Sequence, residues 1–136
     1  MNDETRRVFD FLKAVGTYYI ATVSGDKPSI RPFGTINRFN DKLYIQTGKS
    51  KDFYKQVEKN PNFEISAFDG KGSWLRIAGE LVSDDSAEAV NDMLGAYPSL
   101  KAMYEAGDGN AVTLYFKDAK ATWYSFTGAP ETIELN

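Results

Sequence analysis

The chain opens with a helical pattern, passes through short runs of β character, and returns to β after a helical insert. Val8, Leu12 and Val15 recur at helical spacing with Phe11 beside them, which predicts a helix over Asn2 to Val15 stopped by Gly16. Residues Thr17 to Ser24 are largely β-branched and aromatic. Gly25-Asp26-Lys27-Pro28 breaks the run with turn chemistry, and the extended pattern resumes from Ser29 to Phe39. The two runs read as a hairpin. Asn40-Asp41 supplies the next turn, Leu43 to Thr47 a third strand, and Ser50 to Lys59 a helix with Ser50 as N-cap and Phe53, Tyr54 and Val57 inward. Asn60-Pro61 ends that helix, because a residue before proline is pushed out of the α region.

From Phe63 to Asp69 the pattern sets Phe63, Ile65 and Ala67 against Glu64, Ser66 and Phe68, a half-buried fourth strand. A turn at Asp69-Gly70-Lys71-Gly72 leads into a long fifth strand, Ser73 to Ser83. There Trp74, Arg76 and Ala78 share one side, Leu75, Ile77 and Gly79 the other, and Gly79 marks a bulge or a close approach. A helical insert follows, capped by Asp84, Asp85 or Ser86 and apolar along Ala87, Val90 and Leu94. A second short helix opens at Pro98-Ser99 and runs through Glu105. After Gly107-Asp108-Gly109, Ala111 to Phe116 and Ala121 to Phe126 read as a closing hairpin around Lys117 to Lys120; Gly128 to Asn136 is an irregular tail or an added strand. About six or seven antiparallel strands at this spacing predict a mainly β, split-barrel-like domain with peripheral helices, a single unit over residues 1–136.

Composition narrows what such a domain does. The net charge of −3 argues against broad nucleic-acid binding, which needs a basic face, so any anion site is local. No window approaches the roughly 20 apolar residues of a membrane span, and no apolar leader opens the chain, which points to a soluble cytoplasmic protein. Cysteine and histidine are both absent. Their absence removes thiolate chemistry, the commonest metal ligands and the commonest general base near neutral pH, and no calcium-loop pattern replaces them, so no metal is expected.

Three groups of residues stand out chemically. Lys49 and Lys51 flank Ser50 at the start of the second helix, where the helix dipole disfavours each cation by roughly 0.3–1 kcal/mol. A bound anion reverses the sign, and the free amides of the helix start, the Thr47 and Ser50 hydroxyls and the two ammonium groups make a phosphate cradle. A solvated turn, screened by salt and partly offset by Asp52, accounts for the same residues. Arg31-Pro32-Phe33-Gly34 lies within the second strand, where a proline belongs on an edge or beside a bulge. If the second and third strands pair around Asn40-Asp41, Arg31 falls opposite residues beyond Thr47 and joins the lysines, its alternative being a surface ion pair. Trp74 and Arg76 can stack on a ligand, clamp a second subunit or simply cover the barrel exterior; Trp123 lies on the last strand among rings that are mostly core. No pair of carboxylates suggests acid–base catalysis, and no catalytic residue is assigned.

In order, Arg31-Pro32 on a strand, Leu43-Tyr44-Ile45-Gln46-Thr47 followed by Gly48-Lys49-Ser50-Lys51, the helix end Lys59-Asn60-Pro61, and Trp74-Leu75-Arg76-Ile77-Ala78-Gly79-Glu80 resemble the pyridoxamine 5'-phosphate oxidase-like family of flavin-binding split barrels. The resemblance runs from about Phe9 to Phe126 and is nearest the small members, general stress proteins and nitroimidazole-resistance-type reductases. It implies a homodimer with FMN at the interface, the phosphate held by Arg31, Thr47, Lys49, Ser50 and Lys51. Pro32, Phe33, Gly34 and Gln46 would then line the isoalloxazine, with Trp74, Arg76 or Trp123 approaching from the second subunit. The implied activity is electron transfer from a reduced nicotinamide or similar donor to a small organic acceptor. Two alternatives remain: a flavin-sequestering module without turnover, and a site for the deazaflavin F420. The chain ends ten residues after Phe126 and has no histidine, so pyridoxamine-phosphate oxidation itself is not expected, and the histidine-dependent activities of the nitroimidazole and haem-degrading relatives do not carry over from the resemblance alone.

Overall fold

The computed structural model describes residues 2–135. Helix α1 (Asp3–Val15) is capped by Asn2, whose side chain accepts from the Thr5 amide, and Val8 and Leu12 on its inner face are fully buried. The strands follow as β1 (Tyr18–Ser24), β2 (Lys27–Phe33), β3 (Asn37–Phe39), β4 (Lys42–Gly48), β5 (Asn62–Phe68), β6 (Ser73–Asp84), β7 (Ala111–Ser125) and β8 (Glu131–Glu134). Helix α2 (Asp52–Lys59) lies between β4 and β5. Helix α3 (Ala87–Ala96) and a short 3-10 helix (Pro98–Ala102) form the insert between β6 and β7.

All strands join one antiparallel sheet in the order β2-β1-β5-β6-β7-β4-β3, with β8 added to β7. The sheet curls without closing, a split barrel. Its inner face is apolar in register: Ile20 sits opposite Ile65, Ile65 opposite Ile77, Ile77 opposite Ala121, and Ala121 opposite Ile133, and all five are buried. Strand β4 is buried on both faces, Leu43 and Ile45 against this core and Tyr44 against Ala89 and Met93 of α3. Among the described residues no helix is long and apolar enough to cross a membrane.

The structure corrects the expected course of the chain in four places. The run Ser29 to Phe39 is two strands, interrupted at Gly34-Thr35-Ile36. Strand β2 pairs with β1 at one edge of the sheet while β3 pairs with β4 at the other, so Arg31 lies opposite Ile20 and not beyond Thr47. The expected closing hairpin is one continuous strand, β7, because Lys117 to Lys120 makes a bulge instead of a turn. Asp118 takes φ +50° and the register with β6 shifts between Ala78 and Glu80. Helix α2 begins at Asp52 with Lys51 as N-cap and no side-chain cap bond, in place of the Ser50 cap. The second insert helix is a 3-10 segment ending at Ala102. The tail supplies β8, the added strand, and the sheet has eight strands.

The bulge in β7 is the place where a glycine is required by space. A Cβ at Gly79 would stand 2.8 Å from both Cα and Cβ of Ala119 and 3.0 Å from the Lys117 carbonyl oxygen. Gly79→Ala should therefore force the two longest strands apart and destabilise the protein by about 1–3 kcal/mol. Urea unfolding checks this through a lowered midpoint at unchanged slope.

Candidate functional site

The chain passes from β2 at one sheet edge to β3 at the other through Gly34-Thr35-Ile36, and Thr35 and Ile36 are pinned from three directions. The Tyr18 hydroxyl donates to the Thr35 carbonyl (2.5 Å), and the Thr35 hydroxyl accepts from the Gln46 amide of β4 (3.0 Å). The Tyr97 hydroxyl, at the end of α3, accepts from the Ile36 amide and donates to the Ile36 carbonyl, both at 3.1 Å. Beside this crossing opens a cleft of about 180 Å³. Pro32, Phe33, Gly34 and Thr35 form one wall, Gln46, Thr47 and Lys51 the next, and Leu100, Met103 and Tyr104 of the insert the third.

Two of the residues lining this cleft each carry a buried polar atom that has no partner among the described residues. Gln46 spends its amide nitrogen on the Thr47 carbonyl (2.8 Å), leaving Oε1 unbonded, and the Thr47 hydroxyl is likewise unbonded. A buried polar group left unmade costs roughly 1–3 kcal/mol, so a ligand that reached these two and supplied the missing bonds would recover that cost. Lys51 contributes the charge. It forms no ion pair among the described residues and stands as N-cap of α2, where the first amides of the helix have no intrahelical acceptor.

Six of the sequence-predicted residues thus share one cleft: Pro32, Phe33, Gly34, Gln46, Thr47 and Lys51. The others are placed elsewhere. Arg31 turns toward β1 and α2, donating to Thr22 Oγ1 (2.8 Å), Ser29 Oγ (2.8 Å) and Gln56 Oε1 (3.0 Å), with its guanidinium 5.1 Å from the Phe53 ring centre. Partial burial among neutral acceptors lowers its pKa from the usual arginine value. Lys49 pairs with Asp85 at 2.8 Å, a hydrogen bond that raises its pKa. Ser50 is exposed, its amide donating to Asn110 Oδ1. On the outward face, Trp74 stacks on Tyr124 (5.4 Å, 8°) and Arg76 is bonded to Glu64.

Trp123 lines a different hollow of about 590 Å³ between α1 and the end of β7, edge-on to Phe11 (5.0 Å) and under the Arg7 guanidinium (4.1 Å), with its indole N–H buried and unpartnered. That hollow is also lined by Asp10, Asp69 and Glu131, and its Arg7 is already paired with Glu131, so it disfavours an anion. A third hollow of about 590 Å³, behind α2 at Lys55, Gln56 and Lys59, contains no unpartnered buried polar side chain among the described residues. The wall formed by Leu100, Met103 and Tyr104 has no chemical motif in the sequence and becomes visible only once the insert is folded back over β4.

The sequence matches the pyridoxamine 5'-phosphate oxidase family over residues 5–121, and the chain belongs to that family. A NimC/NimA family protein from Clostridium acetobutylicum is 41% identical, with a TM-score of 0.92 over 98% of this chain and 94% of that one. General stress protein 26 from Bacillus anthracis superposes with a TM-score of 0.75 at 20% identity, over 98% of this chain and all (100%) of that one. An FMN-binding protein related to pyridoxamine 5'-phosphate oxidase from Nostoc punctiforme gives 0.70 at 14% identity, over 100% and 98%. The same fold occurs in a haem-binding protein from Mycobacterium smegmatis and in an F420 reductase, so the fold alone fixes no cofactor. No curated protein matches the chain by sequence.

The unpartnered Thr47 hydroxyl gives a test that needs no ligand. Thr47→Val keeps the shape and removes the unmet hydroxyl, so the cofactor-free variant should be as stable as the parent or more stable by about 1 kcal/mol. Chemical denaturation measures it; a loss greater than about 1 kcal/mol would mean that the hydroxyl is satisfied in the free protein.

Proposed function

We propose that the protein is an FMN-binding oxidoreductase, a homodimer that passes electrons from a reduced nicotinamide or similar donor to a small organic acceptor. The observation that carries the reading is the pair of unpartnered polar groups, Gln46 Oε1 and the Thr47 hydroxyl, in a cleft lined by Lys51, a cation with no ion pair among the described residues. The donor set fits a flavin mononucleotide. Lys51, the Thr47 hydroxyl and the first amides of α2 suit a phosphoryl group, while Pro32, Phe33, Gly34 and Gln46 suit a flat, polar-edged ring. When bound, the flavin supplies hydride and single-electron chemistry. The chain's own residues then bind and orient: Lys51 neutralises, Thr47 donates, Gln46 reads a ring-edge donor, and Phe33, Leu100 and Met103 exclude water. No side-chain base is required, in keeping with a sequence that has no histidine.

F420 is the weaker reading because its long polyanionic tail needs several free cations. Lys49 is committed to Asp85 and Arg31 to neutral acceptors, which leaves Lys51 as the cation of the cleft, enough for a single phosphoryl group.

A second copy of the chain completes the reading. The cleft's volume is below the roughly 300–1,000 Å³ usual for a cofactor or drug-sized ligand, so one protomer would hold only part of a flavin. The outward face of the sheet carries a row of aromatic side chains beyond the Arg76–Glu64 pair. Phe68, Trp74 and Tyr124 are cross-strand neighbours in one row, with Phe126 against Trp74 at 5.1 Å, and Phe68 and Phe126 are 52% and 77% exposed. Burial of that face against a partner would bring aromatic rings to close the site.

Lys51→Ala should weaken FMN binding by about 1.5–3 kcal/mol, the worth of a charged hydrogen bond, with riboflavin affinity nearly unchanged. Titration of both ligands by flavin fluorescence separates the two, and equal losses would remove the phosphate from Lys51. Steady-state oxidation of NAD(P)H by the loaded protein distinguishes turnover from sequestration. If the protein is a dimer, its apparent unfolding midpoint rises with protein concentration, because folding and association are linked. A midpoint independent of concentration, with a monomer by light scattering, would leave the shared site without support.

A further inference from the structure

The turn that delivers Lys51 to the cleft is held from outside the cleft. Its ends are joined by the Lys51 amide donating to the Gly48 carbonyl (3.1 Å), which leaves Lys49 and Ser50 at the corner with their own amides to satisfy. Both amides go to one residue. The Lys49 amide donates to the Asn110 carbonyl (2.8 Å) and the Ser50 amide to Asn110 Oδ1 (3.0 Å). Asn110 is fixed in turn by Asp108, whose Oδ1 accepts from the Asn110 and Ala111 amides at 2.7 Å each and whose Oδ2 accepts from the Glu105 amide at 3.0 Å. These amide bonds hold the Asp108 carboxyl below the usual carboxylate range. The contact is also tight in space: a Cβ on Gly48 would lie 2.9 Å from Asn110 Nδ2 and 3.1 Å from the Tyr104 ring, itself part of the cleft wall.

Resting on the reading of the cleft as a phosphoryl site, we infer that Asn110 is a positioning residue. By holding the amides of Lys49 and Ser50 it fixes the Gly48–Lys51 turn so that the Lys51 ammonium and the Thr47 hydroxyl address the same anion. Two physical points support the assignment. Lys51 is the N-cap of α2 and its side chain makes no capping bond, so the helix ties this residue through its carbonyl, which accepts from the Lys55 amide at 3.3 Å, and leaves the side chain unheld. The turn's remaining anchor, the Lys49–Asp85 ion pair, is solvent-exposed and worth little. Asn110 acts through Lys51, so its effect on binding should vanish when Lys51 is gone.

The test is a double-mutant cycle of Asn110→Ala and Lys51→Ala, read by titration with FMN and riboflavin, together with amide hydrogen exchange on the cofactor-free protein. Asn110→Ala should weaken FMN binding about three- to tenfold and riboflavin by less than about twofold, with no further loss in the Lys51→Ala background. Equal losses for the two ligands, or losses that multiply in the double variant, would overturn the inference. In the free protein, Asn110→Ala should speed exchange of the Ser50 amide by about three- to tenfold and leave the amides of β4 unchanged. Asn110→Asp, which keeps the accepting oxygen, should retain Ser50 protection; fast Ser50 exchange in both variants, or in neither, refutes the clamp. If the parent protein binds neither flavin, the cofactor reading fails, and the exchange measurement alone decides whether Asn110 holds the turn.

Discussion

The two free edges of the curled sheet are brought together by three residues, Gly34, Thr35 and Ile36, and the cleft exists because that crossing is fixed. Closing the barrel with a regular strand pair would satisfy every edge amide and leave no opening. Here the edges meet through hydroxyls instead: Tyr18 and Tyr97 pin the crossing, and Thr35 reaches the Gln46 amide across the gap. Tyr18 is fully buried, and burial, together with the nearby Tyr97, raises its pKa well above the usual tyrosine value, so it remains a donor. The result is a slot at the end of β4 with backbone on one side and a helix start on the other.

That slot sits at the expensive end of the fold's energetics. Leaving Gln46 Oε1 and Thr47 Oγ1 buried and unbonded costs the free protein stability that a simple apolar pair would retain. These groups stand beside a lysine that forms no ion pair among the described residues, so the cleft is less well satisfied than the apolar core around it. The neighbouring cations are engaged by the protein itself: Lys49 has Asp85, and Arg31 has Thr22, Ser29 and Gln56. Local charge, not the net charge of −3, is what distinguishes the cleft.

What could be read from the sequence was whatever repeats locally. The alternation in β5 and β6, the apolar stripe of α1 and the turn chemistry at Gly25-Asp26 all reappear in the fold, with Leu75 and Ile77 inside and Trp74 and Arg76 outside. Pairing partners could not be read, because period 2 specifies a face and not a neighbour. Ser29 to Phe39 is β-patterned, and Pro32 and Gly34 within it mark an edge or a break without saying that the two halves belong to opposite edges. Lys117 to Lys120 is polar enough for a turn, yet Asp118 absorbs the extra residue as a bulge while β6 continues to pair. The same limit governs the site. Thr47 and Lys51 were visible as a strand end and a helix start, whereas the partners of Arg31 and Lys49, Gln56 and Asp85, lie far away in sequence and redirect both cations. Asp108 read only as part of the Gly107-Asp108-Gly109 turn, and Asn110 after it drew no reading at all.

The insert between β6 and β7 ties these parts together. Its helix covers the outer face of β4 through Ala89 and Met93, Tyr97 at its end pins Ile36, and Leu100, Met103 and Tyr104 form the third wall of the cleft. Support and wall therefore come from one segment but from different residues of it. The buried residues of α3 and the Tyr97 hydroxyl are constrained by packing and by bonds to the crossing. Met103, 63% exposed at the rim, carries no such constraint. Variation at the rim can reshape the opening of the cleft while the crossing and the Gly48–Lys51 turn, which other residues hold, stay in place.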